Sequence, residues 1–227
     1  MRHFIAVFAC LLFGDVALHA QSVDPTGNGP CGGQSTYTYN GTVYRLAEIG
    51  GQCWFAENLR SSTYANGDDI PSTLTDSQWN NALDGATTIY GEDDGCTNYS
   101  PDIDSCDPAV ALEEYGRLYN WYAVSDERQV CPSGWHVPVS SEWTSLFDLY
   151  GGLEVAGVHL KSTEGWSEAW GGTNSSGFGG LPSGYRMWTS GGYVDAGGNG
   201  VWWSSTDTGN GAMNALLWVM RDKQMDH

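Results

Sequence analysis

Positive charge is scarce in this chain. Nine Lys and Arg stand against 27 Asp and Glu in 227 residues, which gives a formal net charge of −18. Nucleic-acid-binding proteins need a basic surface to contact phosphates, so this composition argues against a nucleic acid as partner. Long apolar runs are lacking too: past Ala20 the longest, Ala215 to Met220, is far too short to cross a bilayer.

Charged residues of both signs make up only 16% of the chain, whereas glycine and aromatic residues are abundant. There are 31 Gly, 11 Trp and 12 Tyr. Glycine and aromatic side chains favour turns and strands over long helices. The composition therefore predicts a mixed α and β protein with many loops, held together by buried rings.

The first twenty residues have the anatomy of a secretory signal peptide. Arg2 and His3 form a short basic start, residues 4–13 are apolar, and residues 17–20 offer a cleavage site before Gln21. A lipoprotein site at Cys10 is the weaker alternative, because only nine residues precede it. We expect residues 1–20 to be a signal peptide, residues 21–36 a flexible segment, and residues 37–227 a single domain.

Export changes how the cysteines are interpreted. After cleavage five remain, and in an oxidising compartment these are disulfide candidates before they are metal ligands. Cys96 and Cys106 bracket a short loop and form the first predicted pair. Cys31 with Cys53 is the second, which leaves Cys131 without a partner.

Hydrophobic patterns predict a few defined elements. Alternating apolar residues on both sides of Asn40-Gly41 predict a hairpin, and Cys53 to Leu59 a third strand. Apolar residues at helical spacing predict a helix over Ser141 to Tyr150, capped by Ser140. A second short helix is expected around residues 118–123.

Five motifs together resemble one family. They are Gly51-Gln52-Cys53-Trp54-Phe55-Ala56-Glu57-Asn58-Leu59, Gly116-Arg117-Leu118-Tyr119-Asn120-Trp121-Tyr122-Ala123, Cys131-Pro132-Ser133-Gly134-Trp135-His136-Val137-Pro138, Leu181-Pro182-Ser183-Gly184-Tyr185-Arg186 and Trp202-Trp203-Ser204-Ser205-Thr206. In order and spacing the set resembles the Fibrobacter succinogenes major paralogous domain family.

That resemblance implies an exported bacterial protein, without an established activity, and an α+β fold. The family's motifs are similar to the C-type-lectin-like fold, which formylglycine-generating enzymes share. Such a fold has short twisted antiparallel strands, one or two helices and long irregular loops. The chain departs from the family pattern at its end, where a closing strand ending in a cysteine is expected and is apparently missing. The resemblance makes that cysteine the natural partner of Cys131.

Candidate ligand-binding residues lie in the last third of the chain. Adjacent residues on a strand point to opposite faces, so at most one ring of Trp202-Trp203 is expected at the surface, where it could stack on a sugar. The other reading is that one ring packs in the core and the other covers a loop. The remaining candidates are Trp170, Trp188, Tyr193, Asp207, Asn210 and Asn214.

An acidic loop closed by the predicted Cys96–Cys106 bridge is the candidate metal site. It carries Glu92, Asp93, Asp94, Asp102, Asp104 and Asp107. Calcium takes six to eight oxygen ligands from flexible loops, so a structural Ca²⁺ is one reading. The spacing does not match an EF-hand, and a solvated acidic loop is the other reading.

Catalytic motifs are lacking. His136 and His159 are isolated, and no zinc or serine-hydrolase pattern occurs. We expect an exported, non-enzymatic binding or adhesion module that contacts a glycan or a surface protein through its C-terminal loops. It would be secreted, on the cell surface or in the periplasm. A structural surface protein and an oxidase on a formylglycine-generating-like scaffold are the alternatives.

Overall fold

The chain folds into small antiparallel sheets and short helices. The computed structural model describes residues 10–12, 29–92, 96–167, 171–187, 189–207, 217–220 and 225–226. Twelve strands and five helices lie in this part: β1 Leu11–Leu12, β2 Thr36–Tyr39, β3 Thr42–Ile49, β4 Gln52–Phe55, α1 Asp76–Asn80, β5 Thr87–Ile89, α2 Pro108–Tyr115, β6 Arg117–Tyr119, α3 Trp121–Val124, β7 Trp135–His136, α4 Ser140–Leu149, α5 Leu153–Leu160, β8 Ser183–Arg186, β9 Tyr193–Ala196, β10 Gly200–Trp203, β11 Leu217–Met220 and β12 Met225–Asp226.

The strands form one five-stranded sheet and three smaller ones. The largest has the order β2-β3-β4-β1-β7, and β10-β11-β12 form a second sheet. Two-stranded ladders join β5 to β6 and β8 to β9. All of these ladders are antiparallel. None of the described helices is long and apolar enough for a transmembrane span.

Two hydrophobic cores share the same strands. On β4, Trp54 lies in the first core, whereas Cys53 and Phe55 lie in the second. On β10, Trp202 lies in the first core and Trp203 in the second. Successive side chains on a strand point to opposite faces, so both strands are buried on both sides. Helix α4 covers the first core with Trp143, Leu146 and Phe147.

The predicted hairpin is confirmed. Strands β2 and β3 pair with Tyr39 opposite Thr42, and Asn40 and Gly41 form the connection. Both connecting residues have positive φ, 47° at Asn40 and 79° at Gly41. Two-residue hairpin turns of this kind need such angles, which is why Asn-Gly favours them.

The predicted helix over Ser141 to Tyr150 is confirmed as α4, but its cap differs. Val139, not Ser140, occupies the N-cap position, and its N–H donates to Glu142 Oε2 at 2.8 Å. The hydroxyl of Ser140 instead lies 3.0 Å from that of Ser204. Ser140 thus connects α4 to the segment that follows β10.

The prediction of a helix around residues 118–123 is wrong for the first half of that range. Residues 117–119 form β6, and only Trp121–Val124 is helical. Asn120 separates the two because its Oδ1 accepts hydrogen bonds from Ala86 N and Ala123 N, both at 2.9 Å. The expectation of one or two helices is also too low, since the described residues contain five, although α1 and α3 have only 5 and 4 residues.

All six cysteines form disulfides. Cys31 pairs with Cys53 and Cys96 with Cys106, as predicted. Cys131 pairs with Cys10, which lies inside the predicted signal peptide. Our sequence interpretation left Cys131 unpaired because it removed Cys10 with the leader, and an apolar segment has the same composition in a leader as in a buried strand.

A buried arginine holds the β8–β9 region to α1. The Arg186 side chain is inaccessible to solvent and lies between two rings, with its guanidinium carbon 4.7 Å from the Trp79 centroid and 4.9 Å from that of Tyr193. Its nitrogens donate to Gly191 O at 2.7 Å, Leu74 O at 3.0 Å and Asp76 Oδ1 at 3.1 Å. A buried charge is tolerated only when it is paired and hydrogen-bonded, and this one is both.

Candidate functional site

Trp202 and Trp203 do not form the predicted stacking platform, because both rings are buried. Trp202 is 0% exposed and Trp203 is 2% exposed. Their indole N–H groups donate to Asn58 Oδ1 at 3.1 Å and Tyr119 O at 2.8 Å. At most one of the two rings was expected at the surface, and neither lies there because a core lies on each side of β10.

The other predicted ligand residues are not brought together in the described part of the chain. Tyr193 is buried against Arg186 and Tyr90, whereas Asp207 is exposed after β10. Trp170, Trp188, Asn210 and Asn214 lie outside the described residues.

The acidic loop uses its described carboxylates to bind backbone and side-chain donors. Glu92 accepts from Ile89 N at 3.1 Å and from Thr88 Oγ1 at 2.5 Å. Asp107 caps α2 through Ala109 N at 2.9 Å, and Asp104 accepts from Cys106 N at 3.1 Å. Asp102 accepts a longer bond, of 3.4 Å, from Gly165 N.

Where side chains are described, no three His, Cys, Asp or Glu groups converge in a way that would hold a metal ion. Asp93 and Asp94, the remaining members of the predicted set, lie outside the described residues. The Ca²⁺ site stays a prediction.

A groove lies beside Cys131 of the Cys10–Cys131 disulfide. It has a volume of about 640 Å³. Its lining comes from α3 and the turn after it, from β7, and from the segment after β10: Trp121, Tyr122, Val124, Ser125, Asp126, Glu127, Gln129, Val130, Cys131, His136, Val137, Ser205 and Asp207. Binding pockets for small molecules commonly measure about 300–1,000 Å³, so the groove is large enough for a small ligand.

The floor of the groove is fixed by hydrogen bonds. His136 Nε2 lies 2.9 Å from Glu142 Oε2, and that same oxygen holds the N-terminus of α4 through Val139. Ser205 donates from its hydroxyl to Val137 O at 2.6 Å and from its N–H to Pro138 O at 2.9 Å. The segment after β10 is therefore attached to the two residues that follow β7, and these hydrogen bonds fix the spacing of the two walls.

One rim of the groove carries an ion-pair network. Arg128 Nη2 lies 2.7 Å from Asp126 Oδ2, and Nη1 lies 3.3 Å from Asp68 Oδ2. The hydrogen bond from Arg128 lowers the pKa of Asp126 below its ordinary value, and the Arg128 pKa is raised in return. The guanidinium carbon of Arg128 also lies 4.0 Å from the centroid of the Tyr64 ring. This contact holds the turn after α3 against Tyr64.

The groups that line the groove can make polar and apolar contacts to a ligand. Carboxylates and the Tyr122 hydroxyl can accept or share hydrogen bonds with a polar ligand, while the ring edges supply apolar contact. Acidic groups at the rim disfavour anionic ligands.

Comparison with known families identifies the chain. The model of the Fibrobacter succinogenes major domain matches residues 47–226. The chain belongs to this family. The match includes every described residue of the groove, so the groove is part of the Fibrobacter succinogenes major domain itself. Neither the curated proteins nor the solved structures contain a match to the chain.

Sequence reasoning missed most of the groove in this Fibrobacter succinogenes major domain. It singled out Asp207 but not Tyr122, Asp126 or Glu127, and it treated His136 as a structural side chain. A signal was present: residues 125–129 are uniformly polar and follow the Trp121-Tyr122 pair. Only the fold shows that β7 and the segment after β10 face this turn.

Proposed function

We propose that the chain is an exported, non-enzymatic binding module that holds a short glycan in the groove between α3, β7 and the segment after β10. One observation carries the proposal: the groove combines a partly exposed tyrosine, Tyr122, with acidic groups at Asp126, Glu127 and Asp207. Sugar hydroxyls donate to carboxylates, and the apolar faces of sugar rings pack on aromatic side chains. The scarcity of Lys and Arg favours a neutral ligand over an anionic one.

Export is supported by the cysteines. The Cys31–Cys53 and Cys96–Cys106 disulfides remain when residues 1–20 are removed, and disulfides are typical of proteins that fold in an oxidising compartment. These two disulfides also support the proposal that the chain is not an enzyme, because formylglycine-generating chemistry would need a pair of reactive cysteines and only Cys131 is left unbonded after cleavage. We further propose the C-type-lectin-like arrangement, which the small antiparallel sheets and peripheral helices support.

A structural role is the second candidate, and burial favours it. All eight tryptophans whose side chains are described are buried, including the Trp202-Trp203 pair. A surface protein that uses its rings only for packing would have this distribution. Such a structural protein would differ from a binding module in having no small ligand.

A glycan array distinguishes the two candidates. We expect the wild-type protein to bind a limited set of glycans, and the double variant Tyr122→Ala, Glu127→Gln to lose at least about tenfold in affinity, as two lost hydrogen bonds imply. The matched control is Tyr99→Ala, which removes a tyrosine that is 57% exposed and lies outside the groove lining. Its binding should stay at the wild-type level.

The array is run with Ca²⁺ and with EDTA, which also tests the predicted calcium site. If the wild-type protein binds no glycan on the array even at high protein concentration, the structural role is favoured. Copper-dependent oxidation of a cysteine-containing peptide would support the oxidase alternative instead. An equal loss in the Tyr99 and Tyr122 variants would place binding outside the groove.

A further inference from the structure

Strand β1 lies inside the five-stranded sheet, although it has only two residues. Leu11 is opposite Trp54 of β4 on one side and opposite His136 of β7 on the other. Leu12 pairs with Trp135, and Phe55 N donates to Cys10 O at 3.0 Å. In the described part of the chain, β7 has no other strand partner, so β1 alone joins β7 to the sheet.

The residue before this strand is anchored in the second core. Cys10 is 0% exposed and Cys131 is 1% exposed, with their Cα atoms 5.8 Å apart. The disulfide packs in the same cluster as Phe55 and Trp135. The gap between β4 and β7 therefore accepts an extended backbone and, at one end, a cysteine.

The sequence also places these residues in the segment that is predicted to be cleaved. Cys10, Leu11 and Leu12 fall within the apolar part of the predicted signal peptide. Cleavage after Ala20 would remove the whole of β1. It would leave β4 and β7 with unpaired N–H and C=O groups facing one gap, and Cys131 as a buried thiol. Buried backbone groups need partners, and open strand edges readily take up an extended segment.

We propose that, in the processed protein, the gap between β4 and β7 binds a strand from an exported partner, and that this strand carries a cysteine followed by aliphatic residues. The partner's cysteine takes the place of Cys10, and the following residues pair with Trp54, Trp135 and His136 as β1 does. This proposal rests on the export part of the proposed function but not on glycan binding in the groove.

The covalent step is thiol–disulfide exchange. The Cys131 thiolate attacks the partner's cysteine within an existing disulfide, the old S–S bond breaks, and a new bond to Cys131 forms. The displaced thiolate takes up the proton that Cys131 released. Two sulfur atoms are exchanged without net oxidation, so no further oxidant is needed.

The experiment empties the gap after folding. A protease recognition sequence is inserted between Ala20 and Gln21 of the full chain, in the wild type and in Cys10→Ser, and each protein is folded and then cut. We expect the wild-type fragment 1–20 to stay attached until a reductant is added. The Cys10→Ser fragment should dissociate without reductant and leave a folded protein with one free thiol.

The probe for the emptied protein is the synthetic peptide Val-Phe-Ala-Cys-Leu-Leu-Phe, with its cysteine as a mixed disulfide with glutathione. We expect one peptide adduct on Cys131, detected by mass spectrometry, together with release of glutathione and a higher Tm. A peptide with proline in place of the first leucine should react at least about fivefold more slowly, because it cannot complete the ladder. Adding Cys131→Ser should abolish the adduct.

Three outcomes would overturn the proposal. The first is equal reaction of the two peptides, which would mean an accessible thiol without a strand site. The second is release of the wild-type fragment without reductant. The third is unfolding on removal of the fragment, since β1 would then be a permanent strand of the chain. None of these outcomes depends on the glycan array, so a failure here leaves the groove proposal standing.

Discussion

Replacing Arg186 by methionine should remove about 4 kcal/mol from the free energy of unfolding. The variant keeps an unbranched apolar stem but is shorter than arginine and loses the guanidinium. Its acceptors Gly191 O and Leu74 O, at 2.7 and 3.0 Å, would each lose a charged donor. An acceptor left without its partner costs about 1–3 kcal/mol when buried.

Two further effects act in opposite directions. The rings of Trp79 and Tyr193 would lose cation–π contacts worth about 0.5–2 kcal/mol each. Methionine, in turn, avoids the cost of keeping a charge away from water, which offsets part of the loss. Loss of the ion pair to Asp76 adds little, because that carboxylate is 58% exposed.

Equilibrium unfolding in urea measures the effect. For a chain of this size about 4 kcal/mol corresponds to a fall in Tm of roughly 8–16 °C. Arg45→Met is the matched control, since Arg45 is 68% exposed and its pair with Glu57 spans 3.4 Å, so we expect a change below about 0.5 kcal/mol. If Arg186→Met does not fold, Arg186→Lys, which keeps the charge but not the fork of donors, should give a smaller loss. An Arg186→Met variant within about 1 kcal/mol of wild type would refute the reasoning.

Three other predictions follow from burial, capping and hydrogen bonding. Trp202→Ala should lower the free energy of unfolding by about 3–5 kcal/mol. Trp202→Phe should lower it by about 1–2 kcal/mol, because Asn58 Oδ1 loses its hydrogen-bond donor. A Trp202 variant that loses binding but unfolds normally in urea would contradict this prediction. Thr75→Ala should cost about 1 kcal/mol in urea unfolding, because Thr75 and Gln78 form a capping box on α1, whereas Thr73→Ala should have a smaller effect. Burial raises the pKa of Tyr64 to about 12, so the folded state favours the neutral phenol. The free energy of unfolding should therefore be constant with respect to this group below a pH of about 10 and fall above it. The absorbance of the Tyr64 tyrosinate should appear together with unfolding. Gradual ionisation of every tyrosine near pH 10, with the fold intact, would exclude this.

Local features of the fold could be predicted because their causes are local. The Asn40-Gly41 hairpin follows from two residues that adopt positive φ, and α4 follows from apolar residues at helical spacing. The rings of Trp54 and Trp143 were expected in the interior, and they lie there 5.4 Å apart.

The division into two cores was not predicted, and it decides the fate of Trp202 and Trp203. The prediction allowed one of the two rings to lie at the surface. A continuous apolar run such as Cys53-Trp54-Phe55 is instead typical of a strand buried on both faces, and this pattern was available in the sequence.

The groove could not be predicted because its walls come from distant parts of the chain. Tyr122, His136 and Ser205 meet only after three elements have packed, and no spacing rule connects them. The same holds for Cys10 and Cys131, which are 121 residues apart. Residues 10–12 were assigned to the signal peptide and not to a strand, because a signal peptide and a buried strand both require apolar residues.

Burial of β10 on both faces also governs motion. Amide hydrogens on Val201, Trp202 and Trp203 should exchange with solvent only through global opening, because no local fluctuation exposes a strand held between two cores. Ser205 and Asp207 lie shortly after the end of this strand, so they extend from a backbone that is anchored in both cores. A ligand that touches them would order little additional chain, and the entropic cost of its capture would be small.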